Sequence, residues 1–165
     1  PREYIPSVEK GFNASIDKGQ LIGAPVDGLS VILSDGNYHN VDSSDMAFQA
    51  AAKGCFREYY MKGKPEVLEP LMKVSLEGPS EFQGDMIGTL NQRRGMLTDT
   101  FDDDGFVRIE ADVPLAEMFG YSTILRSATQ GKAEFTMEFA RYAAAPRDVQ
   151  EDLISEYKKE QEAKK

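Results

Sequence analysis

The chain has 165 residues, 41% hydrophobic and 28% charged, with a formal net charge of −9. That length permits one domain or two small ones, and that composition is enough for a packed core. No apolar run approaches the ~20 residues that a membrane helix needs, and the start lacks the basic and apolar regions of a secretory signal.

The single cysteine, Cys55, excludes an internal disulfide and fits a reducing, cytoplasmic setting. Ile5, Val8, Phe12 and Ile16 recur at helical spacing, and Gly19 is expected to end that helix. Leu29, Val31 and Leu33 alternate with Ser30, Ile32 and Ser34, which predicts a strand with one apolar face. Asp35-Gly36-Asn37 is turn chemistry. Asp42 or Ser43 is then expected to cap a helix. Met46, Ala47, Ala50, Ala51, Gly54 and Cys55 give that helix a small-residue face suited to close packing on a sheet. Cys55 is expected there as small buried filler. Gly63 and Pro65 close this half.

The second half reads as strand, helix, strand, strand, helix, strand. Met72, Val74 and Leu76 alternate in the first strand. A helix from Ser80 carries Phe82, Met86, Ile87 and Leu90, and Gly95 is expected to stop it. Two strands, Met96 to Phe101 and Phe106 to Val113, flank Asp102-Asp103-Asp104-Gly105, and Asp-Gly is a strong hairpin signal. Tyr121 to Thr129 reads as a helix with Ile124 and Leu125 buried, ending at Gly131. Ala133, Phe135, Met137 and Phe139 alternate in the last strand. This order is the ferredoxin-like βαββαβ unit, with two helices covering one face of an antiparallel sheet. After Ala143-Ala144-Ala145-Pro146, the residues Val149, Leu153, Ile154 and Tyr157 form the apolar stripe of a final helix, expected to fray from Lys158 onward.

Two stretches, far apart and in order, carry a resemblance to the bacterial elongation factor G family of translational GTPases. One is Asp35-Gly36-Asn37-Tyr38-His39-Asn40-Val41-Asp42-Ser43-Ser44-Asp45-Met46-Ala47-Phe48. It resembles the tip loop of the family's fourth domain. The other, Val113-Pro114-Leu115-Ala116-Glu117-Met118-Phe119-Gly120-Tyr121 through Arg126-Ser127-Ala128-Thr129-Gln130-Gly131, resembles the family's last domain. The resemblance runs from Arg2 to about Tyr142. It implies an α+β architecture. Residues 1–66 would be part of domain IV, of the ribosomal protein S5 domain 2-like, βαβ type, with a tip loop at 35–44. Residues 67–143 would be the ferredoxin-like domain V, and 144–165 a C-terminal helix and tail packing back near the first half. The first half would lack strands that the family's domain has, leaving an exposed sheet edge.

The chain begins at Pro1 and holds no G-x-x-x-x-G-K-[ST] phosphate loop. The reading is therefore a C-terminal fragment without catalytic residues, metal or cofactor of its own. GTP and Mg would belong to an N-terminal domain of a GTPase parent. The resemblance implies that the parent promotes translocation of tRNA and mRNA and helps split ribosomes for recycling. The implied partners are the ribosome (decoding site, sarcin–ricin loop and stalk base) and the tRNA–mRNA duplex, with no membrane. Ribosome recycling factor is allowed as a further partner.

His39 is the only histidine, which weakens any metal reading. A triad of Ser43, His39 and Asp42 lacks a nucleophile elbow and an oxyanion-hole signature. Read alone, this stretch is an ordinary surface loop. By resemblance it is an RNA contact led by His39 and flanked by Asn37, Tyr38 and Asp42, offering stacking faces, donors and acceptors to an RNA minor groove. The resemblance likewise implies ribosomal RNA contacts for Phe119, Arg126, Ser127 and Gln130. Arg93 and Arg94 end a helix, where they either offset its dipole or meet rRNA phosphate.

Two features depart from the family pattern: Asn40, where an acidic residue is usual, and the acidic turn Asp102 to Asp104. They leave open a paralogous GTPase of the ribosomal-protection type. The net acidity supports a third reading, an acidic protein-interaction domain without RNA function.

Overall fold

The computed structural model describes residues 1–164. In chain order the elements are α1 (Ile5–Ile16), α2 (Asp45–Tyr59), β1 (Leu68–Pro79), α3 (Gln83–Asn91), β2 (Met96–Asp103), β3 (Phe106–Pro114), α4 (Tyr121–Ala128), β4 (Glu134–Ala144) and α5 (Arg147–Ala163). They form two compact units, one of Pro1–Val67 with the segment from Pro146 onward, the other of Leu68–Ala145.

In the first unit α1 and α2 pack closely because Gly11 presents no side chain. A Cβ built there would lie 2.7 Å from the Gln49 carbonyl oxygen and 2.8 Å from the Ala52 Cβ. The Ser7 hydroxyl donates to Asp45 Oδ1 at 2.6 Å, and that bond holds the Asp45 carboxyl below its ordinary range. Tyr4 stacks on Phe48 at 4.5 Å. Gly11→Val is therefore expected to destabilise this unit by about 3 kcal/mol, the upper end of overpacking costs, because a backbone oxygen cannot rotate away. Chemical denaturation followed by circular dichroism checks it.

Several expectations for this unit are corrected. Leu29 to Leu33 takes no regular secondary structure and joins no ladder, and no strand occurs in the unit among the described residues. Alternation identifies an apolar face, but a strand also needs a neighbour for its backbone N–H and C=O groups. Leu29, Val31 and Leu33 consequently line an apolar groove with Ile5, Val8 and Phe12, while Ile32 is 86% exposed. With no sheet to cover it, the small-residue face of α2 is also open. Met46, Ala47, Ala50, Ala51, Gly54 and Cys55 are not buried, and the buried positions are Ala52 and Phe56. Asp35-Gly36-Asn37 forms no turn, with Asp35 Oδ1 accepting the Gly36 N–H at 2.7 Å; the turn falls at Asn40–Asp42 instead. The cap of α2 is Ser44, whose hydroxyl accepts the Ala47 N–H at 3.1 Å.

The helix α5 belongs to this first unit. Gln150 Oε1 accepts the Val67 N–H at 3.0 Å, and the Tyr157 ring fills the space that a Cβ on Gly23 would need. The helix spans Arg147–Ala163. Glu, Lys, Gln and Ala, which fill its charged end, are good helix formers.

The second unit is a four-stranded antiparallel sheet in the order β2-β3-β1-β4. This is the expected βαββαβ arrangement, and the whole chain is α+β. The central strand β1 sets the register, with Val74 opposite Ala111 of β3 and Met137 of β4. Val74, Leu76, Val107, Ile109, Ala111 and Val113 pack against Met86 and Leu90 of α3 and Tyr121 and Leu125 of α4. The β2–β3 turn is built from Asp104 and Gly105, with φ of 46° and 87°. Two left-handed residues match the twist of a tight hairpin. After α3, the left-handed position is Arg94 (φ 56°) rather than glycine. Gly95 is needed for a different reason: its N–H donates to Leu90 O at 2.9 Å, and a Cβ would lie 2.8 Å from that oxygen.

Candidate RNA-binding surfaces

In the first unit the candidate site is the loop that leads into α2. The His39 N–H donates to the Ser43 hydroxyl at 2.8 Å, and the Ser43 N–H returns to His39 O at 3.1 Å. This pair of bonds closes the loop and consumes Ser43, which is why Ser44 rather than Ser43 caps the helix. The His39 ring stands out into solvent, its side chain 69% exposed. His39 Nδ1 lies 3.1 Å from Asp42 Oδ2 and 3.3 Å from the Val41 N–H. The two contacts use opposite states of one nitrogen, since it donates to the carboxylate only when protonated and accepts from Val41 only when bare. Either way Nε2 and the ring faces remain available. Asn37, Tyr38 and Asp42 are exposed beside it. These four residues therefore share one solvent-facing loop, supplying an aromatic face, an imidazole, an amide and a carboxylate.

In the second unit the candidate surface is the outer side of α4 with the loop before it. Gly120, at φ 72°, turns the chain into the helix. Tyr121, Leu125 and Thr129 face the core at successive helical turns. That spacing leaves Arg126, Ser127 and Gln130 outside the core, with Phe119 77% exposed at the approach. Arg126 makes no ion pair among the described residues, so its guanidinium is available to an anion. Ile124, expected in the core, is exposed, and Tyr121 holds that place instead. Its hydroxyl meets Thr89 Oγ1 at 2.8 Å, and its ring meets Phe135 edge-on at 5.1 Å. Burial pushes the Tyr121 hydroxyl pKa up.

Arg93 and Arg94 do not present free guanidinium groups. Arg94 forms a fork to Glu69, with both bonds at 2.9 Å, and its Nε donates to Glu117 at 3.1 Å. The Glu69 bond, seconded by Glu117, holds the Arg94 pKa above its ordinary value. Arg93 Nη1 donates to the carbonyls of Glu117 and Phe119, and its guanidinium lies over the Tyr121 ring. The two arginines therefore clamp the loop that presents Phe119. Sequence reading missed their partners. Glu69 lies 25 residues before Arg94, beyond the reach of any local pattern.

Among the described residues no group of three or more His, Cys, Asp or Glu side chains is arranged to hold a metal. No helix among them is long and apolar enough to cross a membrane.

Comparison with known proteins gives concordant matches. The family model described as "Elongation factor G, domain IV" matches residues 1–64, and "Elongation factor G C-terminus" matches residues 66–153. Elongation factor G 1 of Treponema pallidum is 58% identical over 99% of this chain and 24% of its own length. Elongation factor G 2 of Anaeromyxobacter dehalogenans is 56% identical over 100% of this chain and likewise 24% of its own. A crystal structure from Thermus thermophilus superposes with a TM-score of 0.87 at 34% identity, covering 96% of this chain and 24% of that one. The chain thus spans about a quarter of the length of these relatives, and by both family models it belongs to the elongation factor G family, matching the regions called domain IV and the C-terminus.

Proposed function

We propose that this chain is the ribosome-contacting, C-terminal part of a translation elongation factor G, acting by recognition and leverage rather than by catalysis. The observation that carries the reading is the exposed loop at residues 37–42, held closed by the two His39–Ser43 bonds, in a chain that both family models match. In this reading His39 leads the contact with the tRNA–mRNA duplex in the decoding site, with Asn37, Tyr38 and Asp42 beside it. An imidazole and a phenol ring suit splayed or minor-groove RNA surfaces, where 2′-hydroxyls need donors and acceptors. Phe119, Arg126, Ser127 and Gln130 would meet the sarcin–ricin loop and stalk base, with Arg126 placed for phosphate. Arg93 and Arg94 would serve that face as supports.

GTP and Mg would be bound by another part of a longer, cytoplasmic protein, since this sequence contains no phosphate loop. GTP-driven translocation, ribosome recycling and a meeting with ribosome recycling factor would be activities of that whole protein. The test is co-sedimentation of the chain with purified ribosomes across a salt series. Phosphate contacts predict affinity falling steeply as salt rises, and Arg126→Ala flattening the slope by about one counterion. Pelleting that ignores salt and Arg126 would favour the acidic protein-interaction reading instead.

A further inference from the structure

We infer that the open face of the second unit's sheet docks a basic, partly apolar segment of a partner protein. The helices α3 and α4 cover one face of this sheet, where Val107, Ile109 and Val113 are buried. The alternate residues point the other way. Toward the β2–β3 side of that open face stand Met96, Phe101 and Phe106, which are 57%, 49% and 62% exposed. Phe101 lies opposite Arg108 across the ladder, and Phe106 lies opposite Asp103 on one side and Pro79 on the other. Two large exposed phenylalanines, near neighbours at the hairpin end of a sheet face, mark an interaction surface rather than an ordinary solvated one.

Charge selects the partner. Three basic side chains stand on this face, and each is already paired with an acid on the same face. Lys73 meets Glu110 at 3.5 Å, Arg108 meets Glu77 at 2.7 Å, and Arg141 meets Asp112 at 2.6 Å. Asp99, Asp103, Glu134 and Glu138 are left over, making no ion pair among the described residues. Asp104 adds another carboxylate at the hairpin turn. Two phenylalanines on a four-stranded sheet could stack nucleobases, but that mode needs a positive surround for the backbone. Here the surplus is negative, so phosphate is repelled and Lys- or Arg-bearing protein is attracted. The rings add a favourable face for the partner's cations. This surface goes beyond the ribosome reading and stands without it.

The experiment is an NMR titration of the isotope-labelled chain with two probes, a short peptide alternating Lys and Leu and a single-stranded oligouridine. The expected result is peptide-induced shifts confined to β2, β3 and their turn, weakening as salt rises, with no oligouridine shifts on this face. Phe101→Ser with Phe106→Ser is expected to weaken peptide binding about fivefold, the effect of losing ~1 kcal/mol at an interface. Asp99→Asn with Asp103→Asn, which removes charge without touching the core, is expected to weaken it comparably. Oligouridine shifts on this face would overturn the inference. So would peptide shifts elsewhere, or peptide binding indifferent to both variants.

Discussion

Tyr121→Ala is expected to destabilise the second unit by about 3–5 kcal/mol, the cost of deleting a fully buried aromatic ring. Tyr121 is wholly buried, and it joins three parts of the unit at once. Its ring packs edge-on against Phe135 of β4, its hydroxyl reaches Thr89 of α3, and the Arg93 guanidinium lies over it at 5.4 Å. Removing the ring opens a cavity between both helices and the sheet. Tyr121→Phe keeps the ring and loses only the hydroxyl bond, so it should cost about 1 kcal/mol. Thr89 retains its bond to Met86 O in that variant, which limits the loss. Urea denaturation of the three proteins measures the difference. A near-equal loss in both variants would place the stability in the hydroxyl and contradict the packing account.

The second large effect is expected at Arg94. Arg94→Ala removes three charge-assisted bonds and leaves Glu69, only 11% exposed, without its partner. Exposed pairs contribute at most ~1 kcal/mol, whereas breaking a buried pair costs about 3–5 kcal/mol. A half-buried fork falls between, at about 2 kcal/mol. Arg94 also has φ of 56°, where alanine is strained by ~1 kcal/mol and glycine is not. Arg94→Gly should therefore be the milder substitution although it loses the same bonds. The pair of variants separates the clamp from an RNA contact. An intramolecular clamp predicts lost stability in the free chain. A phosphate contact predicts unchanged stability and weaker ribosome binding.

These two residues also show what a sequence does and does not disclose. The βαββαβ unit is readable because each strand is covered on one face only. Val107, Ile109, Ala111 and Val113 alternate with Arg108, Glu110 and Asp112, and Asp104-Gly105 marks the hairpin. Tyr121 is harder. A tyrosine reads as amphipathic, and Ile124 reads as the better core residue, yet only the spacing Tyr121, Leu125, Thr129 aligns one face of α4 with the sheet. Arg93 and Arg94 resemble any basic helix end, because Glu69 and Glu117 are distant in sequence. The first unit misleads for a related reason. Leu29 to Leu33 has the alternation of a strand, but alternation says nothing about whether a neighbour exists. The open face of α2, Cys55 included, follows from the same missing sheet. Resemblance alone singles out the loop around His39; its closure through Ser43 is not visible in the pattern.

The most direct test of the proposed function is single-turnover translocation by the longer elongation factor that the proposal places around this chain, comparing wild type with His39→Ala. His39 is exposed and the bonds that close its loop use backbone groups of residue 39, so the variant should keep its fold. The account predicts ribosome binding and GTP hydrolysis near wild type, with tRNA–mRNA movement slowed by about tenfold or more, equivalent to at least ~1.4 kcal/mol of lost contact. Translocation at the wild-type rate would contradict it and leave the loop an ordinary surface feature.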